Sequence, residues 1–274
     1  MNLSEALEIV RLTDVGLQRD HNEDAVASDD ALGFLVLADG MGGYRAGEVA
    51  SEMTVLSITA ELSASLQNHN IAKLDEVLGM QAEAQLLLDA VKSANDVVFS
   101  VSQSQPECAG MGTTLVVAVF TNNKLLVGHI GDSRMYRLRD QTLTQLTEDH
   151  SLLQEQIKAG LLTIEQARHS PNKNFVTRAL GTDLEVKLDL HEHDVEVGDI
   201  YLACSDGLSD LLDDVVVQST LNQYEADINV AAQKLVQMAN ANGGNDNISV
   251  ILVKVNSSFE RTKNWRDDFF KWLK

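Results

Sequence analysis

Short apolar stretches alternate along the chain with longer amphipathic ones. Five runs of strand length are rich in β-branched residues: 33–40, 113–120, 124–131, 199–207 and 248–255. This composition predicts strands that are buried on one or both faces. Asn122 and Asn123 separate two of the runs and suit the left-handed conformations of a tight hairpin, so we expect those two strands to be antiparallel.

Three longer stretches repeat apolar residues at helical spacing, and they cover 46–64, 82–102 and about 228–240. The first carries a stripe of small residues that can lie close against a sheet. Gly243 and Gly244 follow the third stretch and predict its end. Antiparallel strands combined with pairs of long helices predict a layered α+β protein.

Between 150 and 182 the pattern changes to short helices and loops. Ser151 with Gln154, and Thr163 with Gln166, have the spacing of capping boxes, and Gly160 is expected to end the first of these helices. A long excursion between strands often forms a flap beside a functional site. We therefore interpret 150–182 as a flap.

Composition narrows the class of protein. The chain has 274 residues, of which 44% are hydrophobic, and only two prolines, so nothing predicts a division into two large domains. Lysine and arginine number 21 against 41 aspartates and glutamates, a net charge of −20 that disfavours nucleic acid and anionic membranes as partners. Two cysteines and the absence of a signal-like or membrane-spanning run favour a soluble, cytoplasmic protein.

Four aspartates stand where an apolar run meets a turn: Asp39, Asp132, Asp206 and Asp246. A single Asp-Gly pair is usually just a turn. Four converging carboxylates, however, would repel one another and lose hydration, at a cost of several kcal/mol per ion. Divalent cations remove that cost, and a site made of oxygen atoms favours magnesium or manganese. Gly40 could add a backbone carbonyl, because glycine allows a close approach.

A charged N-terminal segment contains Arg19, Glu23 and Asp24. The planar guanidinium of Arg19 could grip two oxygens of a phosphate, and the two carboxylates could orient water molecules on bound metals. In isolation, a solvated loop is the simpler interpretation of this segment.

Taken together, these motifs resemble the bacterial form of the PPM/PP2C family of metal-dependent protein serine/threonine phosphatases. The resemblance covers about 8–255 and rests on the series TDVGLQRDHNEDA, LADGMGG, MGTTLV, GHIGDSRMYRL, LTEDHSL, TRALG, CSDGLSDLL and GGNDNISVI. It implies a four-layer αββα sandwich, in which helix pairs flank two antiparallel sheets. It also implies hydrolysis of phosphoserine and phosphothreonine in proteins by a water that two Mn²⁺ or Mg²⁺ ions activate.

The resemblance also assigns roles to residues. Asp39 would bridge both metals and the Gly40 carbonyl would bind the second, while Asp206 and Asp246 would bind the first. Asp132, with help from Asp206, would hold a third, weaker metal. Arg19 would contact the substrate phosphate, and Asp24, with Glu23 beside it, would hold coordinated water. Phosphoproteins would be the substrates, a bacterial Ser/Thr kinase the opposing enzyme, and the chain a monomer.

One position departs from part of the family. Some members carry histidine directly after the Asp-Gly, as the group thought to protonate the leaving alkoxide, whereas this chain has Met41. We expect a water on the metals to replace it, with His150 or His169 of the flap as weaker candidates. His129 is expected to be a core histidine. Arg178 could contact the substrate or brace the flap, and we expect bracing.

The last residues, 257–274, lie outside the family motifs, so we divide the chain into a catalytic domain at 1–256 and a tail. Trp265, Phe269, Trp272 and Leu273 share one helical face. The tail could dock on the body of the protein, or bind a partner or a membrane interface. Two alternatives to the phosphatase also stay open: a non-catalytic relative that binds phosphoproteins, and a two-metal nuclease, which the negative charge disfavours.

Overall fold

Two antiparallel sheets form the centre of the protein. A computed structural model describes residues 2–43, 45–67, 82–163, 166 and 175–260. The strands are β1 (Leu7–Asp14), β2 (Asp24–Asp29), β3 (Phe34–Met41), β4 (Gly112–Thr113), β5 (Leu115–Thr121), β6 (Lys124–Ile130), β7 (Arg134–Arg139), β8 (Thr142–Gln145), β9 (Asp189–Asp194), β10 (Ile200–Cys204) and β11 (Ile248–Val255).

The sheets divide the strands between them. Sheet A has the order β1-β11-β10-β7-β8, and sheet B has the order β2-β3-β5-β6-β9, with the short β4 added beside β3. All of the strand pairs are antiparallel. The five predicted strands are β3, β5, β6, β10 and β11, so the expectation from the apolar runs is confirmed.

Helices cover the outer face of each sheet. They are α1 (Ala46–Gln67), α2 (Ala82–Ser104), α3 (Leu152–Lys158), α4 (Asp206–Ser209), α5 (Asp214–Gln223) and α6 (Ile228–Ala241), and Pro106–Cys108 forms a 3-10 turn. Apolar residues of α1 and α2 pack on sheet B, those of α4, α5 and α6 pack on sheet A, and a third cluster fills the space between the sheets. The layers are therefore α, β, β and α, and the predicted α+β sandwich is confirmed.

The predicted turns and caps are also present. Asn122 and Asn123 have φ values of 50° and 54° and close the β5–β6 hairpin. The Ser151 side chain accepts a hydrogen bond from the Gln154 N–H, as the capping box predicts. Gly160, with φ of +71°, follows the end of α3. These chain reversals therefore occur where the local sequence predicts them.

The flap is described at its two ends. Its interior at 164–165 and 167–174, which includes His169, lies outside the described residues. At its base, Ser151 pairs with Val176, and the Leu152 N–H donates to the Phe175 carbonyl at 2.9 Å. The two ends of the excursion are therefore joined to each other.

The chain continues as packed structure beyond β11. Phe259, which we assigned to the tail, is 1% exposed, and its ring lies 6.3 Å from that of Phe120 between the sheets. Its N–H donates to Asn123 Oδ1 at 2.8 Å. The packed body thus extends past the boundary drawn at 256. The rest of the predicted tail, including the aromatic face of Trp265, Phe269, Trp272 and Leu273, lies outside the described residues. Within the described residues, no helix has the length and apolarity needed to cross a membrane.

Candidate metal centre

The predicted ligands come from one end of the sandwich and from both sheets. Sheet B supplies Asp39 and Gly40 at the end of β3, and Asp132 in the turn after β6. Sheet A supplies Asp206, which begins α4 directly after β10, and Asp246, which lies two residues before β11. The first residue of β2, Asp24, is paired in register with Asp39.

Close backbone approaches hold these chain segments together. A Cβ on Gly207 would overlap the carbonyl of Asn247 and lie 3.4 Å from the Asp246 Cβ. Only glycine therefore allows the start of α4 to lie against the loop that carries Asp246. The Ser205 hydroxyl also donates to Asp24 Oδ2 at 2.8 Å, and this bond connects the two sheets beside the carboxylates.

Burial and mutual repulsion raise the pKa of these carboxyl groups. The pKa of Asp39 lies well above its usual value, first because the group is buried and then because Asp24 and Asp206 are close by. Burial followed by the charge of Asp132 raises the pKa of Asp206 well above its usual value. These carboxylates are therefore held near one another in a place that disfavours their ionisation.

Two neighbouring aspartates show the same effect. Burial raises the pKa of Asp24 to about 6, although its hydrogen bonds from Ser249 and Ser205 act in the opposite direction. The pKa of Asp132 is also raised to about 6, by burial and then by the charge of Asp149. Ionisation is therefore disfavoured at all four of these aspartates, Asp24, Asp39, Asp132 and Asp206.

A divalent cation fits this donor set. Asp24 Oδ1 and Asp206 Oδ1 are buried without a hydrogen-bond partner among the described residues. A buried oxygen without a hydrogen-bond partner destabilises the folded protein. A hard divalent cation can supply the missing partner, because such ions prefer several oxygen ligands. In the described part of the chain, no three carboxylate, imidazole or thiol groups are already close enough to enclose an ion. The ligand set therefore stays a prediction.

Arg19 lies at the rim of this cluster. Its guanidinium donates to Asp246 Oδ2 at 2.7 Å, and the side chain is 47% exposed. The segment before it is fixed, because the Leu17 N–H donates to the Gly244 carbonyl at 2.8 Å and Gln18 Nε2 donates to Asn245 Oδ1 at 2.8 Å. One bond to Asp246 leaves further N–H donors of Arg19 for an anionic ligand.

Glu23 has a structural place beside the cluster. Its backbone carbonyl accepts the Gly40 N–H at 3.0 Å, and its side chain lies 3.2 Å from His21 Nε2. The charged segment that contains Arg19, Glu23 and Asp24 is therefore part of the folded site and not a solvated loop.

Sequence reasoning missed the polar residues that hold the ligands in place. Asn247 accepts the Glu23 N–H at 2.7 Å and donates to the carbonyls of Val15 and His21. Thr114 Oγ1 accepts the Asp39 N–H at 3.1 Å. Asn247 stands in an Asn-rich turn just before a strand, and that position was a usable signal, whereas nothing local marks Thr114.

Two histidines and one cysteine of the described residues have surroundings that disfavour a catalytic role. His129 is 2% exposed, and burial lowers its pKa to about 3, so it is a core histidine as expected, although its buried Nε2 has no hydrogen-bond partner among the described residues. Both ring nitrogens of His150 contact protein groups, which leaves this side chain ill placed to protonate a leaving group. Burial raises the pKa of the Cys204 thiol to about 12, so this cysteine is unsuited to act as a nucleophile.

Comparisons with known proteins show the family of the chain. The family model described as "Protein phosphatase 2C" matches residues 18–252. The chain belongs to the protein phosphatase 2C family. Among relatives of this PP2C chain, the serine/threonine protein phosphatase PstP of Mycobacterium tuberculosis is 37% identical over 243 residues, and the alignment covers 89% of this chain but 44% of PstP. The serine/threonine phosphatase stp of Listeria welshimeri is 35% identical over 250 residues, with 89% of this chain and 94% of the relative covered.

Solved structures of similar sequence share the fold of this PP2C chain over most of its length. The crystal structure of M. tuberculosis PstP has a TM-score of 0.81 at 34% identity, covering 92% of this chain and 100% of the solved one. The catalytic domain of PstP in complex with two manganese ions has a TM-score of 0.77 at 35% identity and covers 92% and 99% of the two chains. This PP2C chain thus spans less than half of full-length PstP but nearly all of the solved domain.

Proposed function

We propose that this PP2C chain hydrolyses phosphoserine and phosphothreonine in proteins, with Mn²⁺ or Mg²⁺ as its cofactor. The observation that carries the proposal is the buried cluster of carboxylates, in which Asp24 Oδ1 and Asp206 Oδ1 have no hydrogen-bond partner among the described residues, at positions that the resemblance assigns to the site. The solved relative that contains two manganese ions supports the same metals here.

Two metal ions would be held by residues of both sheets. Asp39 would contact both ions, the Gly40 carbonyl one of them, and Asp206 and Asp246 the other, while Asp132 together with Asp206 would hold a weaker third ion. When bound, such ions lower the pKa of water and offset the charge that develops on a phosphoryl group. Neutralisation by the ions would also remove the repulsion that raises the carboxyl pKa values.

The protein's own groups would bind and orient the substrate. Arg19 would donate its free N–H groups to two phosphoryl oxygens while its bond to Asp246 keeps the guanidinium in place. Asp24, held by Ser205, would orient water beside the metals with Glu23 next to it. Because His150 is engaged on both sides of its ring, the proton for the leaving group would come from water.

The catalytic interpretation is preferred to the two alternatives. A non-catalytic phosphoprotein-binding relative usually lacks a metal ligand, whereas Asp39, Asp206 and Asp246 are all present. A nuclease would need a basic groove, which a net charge of −20 disfavours. We further propose that the protein acts in the cytoplasm as a monomer, opposing a Ser/Thr kinase, and that the flap shapes access for protein substrates.

A two-substrate assay tests the proposal. Purified protein is given p-nitrophenyl phosphate or a phosphothreonine peptide with manganese, and then with a chelator. We expect manganese-dependent release of phosphate from both substrates. Asp206→Ala should lower the rate at least about a hundredfold, because a metal ligand is lost, while Asp30→Ala, an exposed aspartate, should not change it. Activity that persists in the chelator would refute the metal mechanism.

A further inference from the structure

His150 connects the base of the flap with the turn that carries Asp132. Its backbone N–H donates to the Gly131 carbonyl at 2.7 Å, and its Nδ1 accepts the Gly131 N–H at 2.9 Å. Both backbone groups of the residue that precedes Asp132 are thus bound by one histidine. On the flap side, the His150 carbonyl accepts the Thr177 N–H at 2.8 Å.

The other ring nitrogen of His150 faces the end of the flap. Nε2 lies 3.1 Å from Asp189 Oδ2 and 3.0 Å from the Arg178 guanidinium, which donates to Asp189 Oδ1 at 2.8 Å. Because Nδ1 accepts a hydrogen bond, the neutral ring carries its proton on Nε2 and donates it to Asp189. Arg178 is then held by Asp189 and not by the ring, so it braces the flap as we expected.

The ring has little freedom to turn. It packs on His129 with 4.6 Å between ring centroids, and His150 is 8% exposed. A side chain fixed by packing, with a specific partner at each nitrogen, transmits position from one partner to the other.

We propose that His150 is a positioning residue that fixes the Asp132 turn to the base of the flap. Nδ1 holds the turn, and Nε2 holds Asp189 of β9, which in turn binds Arg178 at the end of the flap, so the turn and the flap base are connected. The proposal rests on the proposed function only in taking Asp132 as a metal ligand. If His150 served packing alone, any replacement would loosen both sides together.

Two amide substitutions separate the two contacts. The Oδ1 of His150→Asn stands near the place of Nδ1 and can accept the Gly131 N–H, but it cannot reach Asp189. The longer His150→Gln can place an N–H near Nε2 and keep Asp189, but it loses the acceptor for Gly131. Each variant therefore cuts one side of the connection.

Two measurements follow the two sides. The rate of trypsin cleavage after Arg168 and Lys173, both within the flap sequence, measures how firmly the flap is held in the metal-free protein. Calorimetric titration with Mn²⁺ measures the affinity of the weakest site, which is the one that we assign to Asp132. We expect His150→Asn to be cleaved about tenfold faster with its Mn²⁺ affinity within about twofold. His150→Gln should show cleavage within about twofold but Mn²⁺ binding about tenfold weaker, as for other groups that orient a ligand.

Controls keep the result interpretable. The same two substitutions at His191, an exposed residue of β9, should change neither measurement. If the His150 variants do not fold, Asp189→Asn takes the place of His150→Asn and should accelerate cleavage while leaving Mn²⁺ binding unchanged. Equal changes in both His150 variants, or no change in either, would overturn the proposal. If the wild-type protein bound no Mn²⁺, the proposed function would fail, and the cleavage comparison would still decide whether His150 fixes the flap.

Discussion

At the scale of one residue, Asp206 shows how a buried carboxylate lowers the stability of the folded protein. Its buried Oδ1 lacks a partner among the described residues, and burial with the charge of Asp132 raises its pKa well above the usual value. When a carboxyl group has a higher pKa in the folded protein than in the unfolded chain, the folded protein loses stability as the pH rises, because ionisation is easier in the unfolded chain. At neutral pH this residue therefore weakens the metal-free protein.

Asp206→Asn should consequently stabilise the metal-free protein while abolishing activity. We expect its melting temperature in chelator at pH 7.5 to rise by about 2–6 °C, since about 1–2 kcal/mol of repulsion is removed. The gain should shrink as the pH falls and the wild-type carboxyl takes up a proton. Differential scanning calorimetry measures both, with Asp30→Asn as the control. A lower melting temperature for Asp206→Asn would contradict the account of the cluster.

His129 gives a second prediction at the residue scale, with the opposite sign. Burial lowers its pKa to about 3, so between about pH 6.5 and pH 3 the unfolded chain binds a proton that the folded protein does not. Stability should fall as the pH decreases through this window. In His129→Gln the slope should be shallower by up to about 1.4 kcal/mol per pH unit. Urea unfolding from pH 4 to 7 measures this slope. The control His191→Gln, at an exposed residue, should keep the wild-type slope.

At the scale of elements, the loop at 14–19 positions Arg19 through its backbone. Gly16 has φ of +78°, its N–H donates to Asp14 Oδ1 at 2.8 Å, and a Cβ there would overlap the Asp246 carbonyl. The loop can lie against the Asp246 segment only because this residue is glycine.

Gly16→Ala should therefore damage the site as well as the fold. Gly198, with φ of +96° and no atom within 4 Å of its would-be Cβ, is a matched control for backbone strain alone. We expect Gly198→Ala to cost about 1 kcal/mol without loss of activity, and Gly16→Ala to cost about 1–2 kcal/mol more. Only Gly16→Ala should also weaken Mn²⁺ binding. Equal effects would mean that the contact with Asp246 is unimportant.

The strands that the sequence predicted are those buried on both faces. Strands β3, β5, β6, β10 and β11 lie inside the sheets and appear as apolar runs. The edge strands β1, β2, β8 and β9 were not predicted, and the last has the polar sequence DLHEHD. An edge strand has a neighbour on one side only and is more exposed, so its residues do not form the continuous apolar run that marks an interior strand.

The same distinction applies to the site. The motifs pointed to the carboxylates, because aspartates at the ends of apolar strands are visible locally. Their supports were not visible: Ser205 bonds to Asp24 across 181 positions and Asn247 to Glu23 across 224. Contacts of this kind depend on how the sheets pack and have no local pattern.

At the scale of the whole molecule, the two poles of the sandwich differ. The carboxylates occupy one end, whereas Asn123, Phe120 and Phe259 pack together at the far end of the β5–β6 hairpin. Ser258 accepts a bond from Asn123 at 2.8 Å, and the Asn256 N–H donates to the Ala6 carbonyl at 2.7 Å. Residues 256–260 thus close the core away from the site.

Two truncations test this division of the chain. Removal of residues 261–274 should leave most of the stability and the hydrolysis of p-nitrophenyl phosphate intact. Removal of residues 257–274 also deletes the buried Phe259 and should cost about 3–5 kcal/mol more. Urea unfolding compares the two proteins. If most of the loss came with the shorter deletion, the aromatic segment would be an integral part of the fold.

The position of β11 has a consequence for the newly made protein. This strand lies between β1 and β10 in sheet A, and Asp246 stands just before it. During translation, β1 and β10 are made before β11, the strand that lies between them, and before Asp246. The nascent polypeptide therefore lacks both the centre of sheet A and the complete set of candidate ligands until β11 has been made.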